Sequence, residues 1–118
     1  MDIKTAINVY SQCDKIKSGL IWASQAVDGL MGLPEMEKRG ALKVVRGLVE
    51  RVGFEALLCR KLTCDAEWMN LEKDIDMARV MIDSGVPGEA SFHLTHALTQ
   101  VTTMGRRSMA VLRDQGLL

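Results

Sequence analysis

Ser84-Gly85-Val86-Pro87-Gly88-Glu89 reads as the end of one helix and the start of another. Glycine stops helices readily. Proline suits the first helical position, where its missing N–H would have had no partner. An acid in the first turn faces the positive end of the helix dipole. The same order recurs in Gly29-Leu30-Met31-Gly32-Leu33-Pro34-Glu35. These corners hold both prolines of the chain. They divide it into a first helix, a long middle and a last helix.

Working outward from the corners, the apolar residues keep a helical period. Before the first corner, Ala6, Val9, Cys13, Ile16, Leu20, Ala23, Val27 and Leu30 alternate three-four spacings and form one seam. After the second, Leu94, Ala97, Leu98, Val101, Met104, Val111 and Leu112 form another. The middle, residues 35–84, is too long for one helix of a compact domain. It carries one stripe through Ala41, Val45, Leu48, Val52, Ala56, Cys59 and Leu62, and a second through Trp68, Leu71, Ile75, Ala78 and Ile82. The break is expected at Thr63-Cys64-Asp65, with Thr63 or Asp65 capping the third helix. Gly53 is the rival break, since glycine costs ~1 kcal/mol against alanine inside a helix. No period-two run marks a strand. The expected fold is therefore all-α: an antiparallel up-down-up-down four-helix bundle of two helical hairpins, a single domain over residues 1–118.

Composition narrows the class. Of 118 residues, 47% are apolar and 25% charged, a globular balance rather than a disordered one. Fifteen basic residues offset fifteen acidic ones, which argues against a protein that coats nucleic acid. Zero net charge also removes the repulsion that keeps copies apart. No uncharged apolar stretch reaches the ~20 residues of a membrane span, and the start does not read as a signal peptide. Three cysteines within helical patterns read as buried, reduced thiols, so the expected compartment is the cytoplasm.

Charge is unevenly spread. Residues 35–62 carry seven basic and four acidic side chains, whereas residues 63–85 carry two basic and six acidic. Opposite signs favour the pairing of the second and third helices. Arg39, Lys43 and Arg46 share one face and form a possible basic binding surface for phosphate or an acidic partner. By contrast, residues 18–27 and 90–105 contain no Asp, Glu, Lys or Arg at all. Trp22 lies about 200° round the helix from the core residue Leu20, and Phe92 also lies off its own stripe. Their neighbours Gly19, Ala26, Thr95, His96 and Thr99 are small or neutral. Aromatic residues on a charge-depleted surface are the composition of an interface centre.

Motifs for chemistry are weak. Glu89, His93 and His96 share a helical face and come nearest to a metal site, but a carboxylate-bridged bundle needs its Glu-x-x-His unit twice. No metal or other cofactor is expected. No phosphate-binding glycine loop, dinucleotide fingerprint or paired cysteine motif occurs, and no catalytic residues emerge. The sequence reading is a non-enzymatic interaction module that binds itself or a protein partner through an uncharged face of the first and fourth helices. Its rivals are a nucleic-acid-associated regulator using the basic face and a metal-binding bundle.

Overall fold

The computed structural model describes residues 1–63 and 66–118. It contains four helices: α1 (Ile3–Leu30), α2 (Glu35–Thr63), α3 (Glu67–Asp83) and α4 (Pro87–Asp114). Among the described residues there is no strand. α1 and α3 each pack on both α2 and α4, and the diagonal pairs do not meet. Neighbours run antiparallel, as their side-chain links require. Lys15 meets Glu55, Arg46 meets Asp83, Arg107 meets Glu67, and Ser91 meets Asp28. This is the up-down-up-down four-helix bundle.

The core follows the periodic stripes. All eight seam residues of α1 and all five of α3 are buried. α2 departs from expectation at five positions, of which Ala41 and Leu48 are only half-buried. Leu62 is exposed, while Val49 and Glu55 are buried. In α4, Ser108 is fully buried on the core side, and its hydroxyl donates to the Gly105 carbonyl at 2.8 Å.

The two corners are built differently. At the second, Gly85 takes φ +82°, a conformation that favours glycine. Its N–H donates to the Ile82 carbonyl at 3.2 Å and the Val86 N–H donates to Met81 at 3.0 Å. That pair of bonds is a Schellman stop. Pro87 then opens α4 as expected. At the first corner Met31 caps α1 in a right-handed conformation. Pro34 stands just outside α2, where its carbonyl accepts the Lys38 N–H at 2.9 Å.

α2 runs unbroken through Gly53. A Cβ there would lie 3.3 Å from Ile75 Cγ2, so the glycine serves close approach of α3 rather than a kink. Thr63 ends α2 and does not cap α3, because its hydroxyl donates back to the Cys59 carbonyl at 2.9 Å. Cys64 and Asp65 lie outside the described residues, and with them the proposed Asp65 cap. At the other end of the chain Asp2 caps α1 by accepting the Thr5 N–H at 2.8 Å, and hydrogen bonding from the Thr5 side chain and N–H holds its carboxyl below the usual value.

The molecule measures 53 × 23 × 18 Å. A 28-residue helix spans about 42 Å, so the helices are staggered. At the start of α2 nothing in residues 35–44 is fully buried, although Ala41 and Leu42 pack against the edge of the core. No helix among the described residues is long and apolar enough to cross a membrane.

Candidate interaction surfaces

On α1, the uncharged residues divide between two directions. A Cβ on Gly19 would lie 3.0 Å from Val52 Cγ2, so Gly19 is taken up by packing against α2. Ala26 is half-buried against the core. Trp22, three residues after Gly19 and four before Ala26, lies on the same row and is turned outward, 63% exposed. It therefore stands on the side of α1 that faces α2. Phe92 on α4 is also exposed, at 73%, with its ring edge-on to His93 at 5.8 Å.

The remaining α4 candidates divide: Thr95 follows Ser91, which bonds Asp28 of α1, on the same row of the helix. His96 turns toward α3, where its Nδ1 lies 2.6 Å from Asp74 Oδ2. Gln100 Nε2 donates to the same oxygen at 2.7 Å. Thr95 and Thr99 are exposed, with the Thr99 hydroxyl donating to the Thr95 carbonyl at 3.2 Å. The seven residues Trp22, Gly19, Ala26, Phe92, Thr95, His96 and Thr99 are thus not gathered on one α1–α4 face. The physical cause is the azimuth of each helix. Close packing of α1 on α2 at Gly19 carries Trp22 away from α4, and the Asp74 carboxylate claims His96 for α3.

The basic face is partly spent inside the fold. Arg46 Nε lies 2.6 Å from Asp83 and its Nη1 lies 2.7 Å from Glu50, and these carboxylates raise its already high pKa. Arg60 pairs with Glu72 across the same α2–α3 boundary at 2.6 Å. The opposite charges of the two helices do meet, as the sequence implies. Arg39 and Lys43 are exposed and have no ion-pair partner among the described residues. Two cations make a small footprint for phosphate recognition.

No group of three His, Cys, Asp or Glu side chains among the described residues is placed to hold a metal ion. Glu89, His93 and His96 do not converge; His93 packs on Phe92 and His96 pairs with Asp74. The thiols of Cys13 and Cys59 are buried and free, and burial pushes both up to about 12.

Two features escaped the sequence reading. One is Glu55, an acid in the core stripe of α2, held by Lys15 of α1 at 2.9 Å and Arg51 at 3.2 Å. The other is the outer surface of α2. There Met36, Val44, Phe54, Leu58 and Leu62 are exposed, and Arg51 stacks over the Phe54 ring at 5.8 Å. Met36, Val44, Phe54 and Leu58, apolar residues outside the core stripe, were the available signal, whereas Leu62 lies on the stripe itself. Phe54 also borders a groove of about 720 Å³ between α2 and α3, floored by Val49, Gly53, Leu57 and Ile75 and rimmed by charges of both signs. Comparison of this chain with protein-family models, with curated proteins and with solved structures finds no match.

Proposed function

We propose that this chain is a non-enzymatic protein–protein interaction module, a small helical bundle that binds through the exposed aromatic face of α1 and the adjoining surface of α2. The observation that carries this reading is Trp22. It stands 63% exposed in the C-terminal half of a long helix, in a ten-residue stretch without a single charge. Burying such a side chain contributes about 1.5–3 kcal/mol, which a monomer leaves unused. Tryptophan at the centre of an uncharged patch is the usual composition of an energetic hot spot.

The direction of Trp22 refines the surface. The face of α1 that turns toward α2 carries it, and Val44 of α2 adds a second exposed apolar side chain. Phe92 belongs to a separate exposed region of α4.

Trp22→Glu tests the reading, because the side chain is outside the core and the substitution leaves the fold intact by circular dichroism. The expected result is a lower mass by light scattering, the loss of a captured protein, or both. A variant that folds identically and changes neither defeats the proposal. Fluorescence supplies a control: Trp68 is fully buried, so iodide quenching in dilute protein reports on Trp22 alone.

A further inference from the structure

α2 carries two helical seams. The inner one is the core stripe. The outer one starts at Glu37 and ends at Lys61, stepping three and four residues in strict alternation. Every one of its eight positions is exposed. Its apolar members Val44, Phe54 and Leu58 lie on one row with Gly40 and Gly47, which leave room for another helix to approach, and no helix among the described residues covers it.

The seam is also complementary to itself when reversed. Two antiparallel copies centred on residue 49 bring Glu37 opposite Lys61, Gly40 opposite Leu58, Val44 opposite Phe54, and Gly47 opposite Arg51. Each end pairs an acid with a base. Each inner layer sets a smaller residue against a larger one, as interdigitating side chains require. Neither Glu37 nor Lys61 has an ion-pair partner among the described residues. This reciprocity, in which one residue meets a second and the second meets the first, is what a two-fold interface demands.

Three further observations agree. A Cβ on Gly40 or Gly47 would meet nothing within 4 Å, so the protomer has no steric need for either glycine, although each costs helix stability. Arg51 shares Glu55 with Lys15 of α1, which turns the seam toward α1 at Arg51, while Phe54 borders the α2–α3 groove. Finally, Lys15 lies opposite Glu55 and Gly19 opposite Val52, so Trp22 stands level with residues 48 and 49. The exposed tryptophan therefore sits beside the two-fold axis, where interface energy concentrates. A face bounded by 53 × 23 Å has room for the ~800 Å² per partner of a standard interface.

We infer that the partner is a second copy of this chain, docked antiparallel along the outer seam of α2, with Trp22 of each copy flanking the axis. This rests on the interaction-module reading and names its occupant.

Charge reversal tests the register. The wild type is expected to show twice the 13.1 kDa chain mass in light scattering and sedimentation. Glu37→Lys and Lys61→Glu each place like charges at both ends of the interface and weaken the dimer roughly tenfold, because the two-fold axis doubles every substitution. The double variant Glu37→Lys/Lys61→Glu restores it to within about threefold. Val44→Glu, at a side chain 75% exposed, gives a folded monomer. A wild type that stays monomeric overturns the inference, as does a dimer that ignores Val44→Glu or is not rescued by the double reversal. A monomer that loses a captured protein on Trp22→Glu also overturns the dimer, yet it leaves the interaction-module reading standing. Only when Trp22→Glu alters neither mass nor capture do both fail.

Discussion

Gly19 of α1 and Val52 of α2 meet so closely that a Cβ on the glycine would stand 3.0 Å from Val52 Cγ2. The contact sets how deeply the two helices interlock, and it separates the glycines into two kinds. At Gly40 and Gly47 the corresponding space is open.

Alanine substitution should expose that difference. Gly40→Ala and Gly47→Ala each gain up to ~1 kcal/mol of helix propensity and should stabilise the protomer. Gly19→Ala gains the same propensity but must displace a stiff, β-branched neighbour in a packed core. Overpacking of that kind costs ~1–3 kcal/mol, so the net effect should be destabilising. Urea unfolding in a Val44→Glu background, which removes association, measures all three. In a Val52→Ala background the Gly19→Ala change should turn stabilising.

Glu55 offers a second test. It is 7% exposed, and Lys15 Nζ lies 2.9 Å from its Oε2. Lys15 is itself well exposed, so the pair lies at the boundary of the core rather than within it. Lys15→Met should cost about 1 kcal/mol, with Arg51 still serving the carboxylate. The same substitution in a Glu55→Leu background should cost close to nothing, because no buried charge is left without a partner. A double-mutant cycle of unfolding free energies reads the coupling, and additive effects would show that Glu55 does not depend on Lys15.

The buried thiols predict an alkaline limit. Cys13 and Cys59 are pushed by burial from an ordinary 9.0 up to about 12. Between those values the unfolded chain releases thiol protons that the folded chain keeps. Stability is therefore fully present below pH 9 and falls as pH rises toward 12. Thermal melts through this window should decline less steeply for Cys13→Ala/Cys59→Ala than for the wild type. At neutral pH, iodoacetamide should leave both residues unmodified in the folded protein and label them after denaturation, as peptide mass mapping would show.

Much of the fold was legible because burial on one side of a helix leaves a periodic record. Every seam residue read for α1 and α3 is in the core. The Gly85-Val86-Pro87 corner was legible for a local reason, since the left-handed glycine and the fixed φ of proline act within a few residues. The first corner was less so. Gly32 does not adopt a left-handed conformation, and Pro34 falls one position before α2. On α2 the buried Glu55 broke the pattern, because an acid can take a core position when cations from α1 and its own helix reach it.

The candidate surface divides along the same line. By itself the sequence determined which residues of each helix turn inward, that four helices would form, that helices of opposite charge would pair, and that Trp22 would stand outside the core. Tertiary structure alone decided which neighbour each outward residue lies beside. Periodicity measures distance from the core, whereas azimuth depends on contacts such as Gly19 against Val52 and Asp74 against His96. Those contacts join residues far apart in the chain, so no local spacing encodes them. They turned Trp22 toward α2 and left Phe92 on a face of its own.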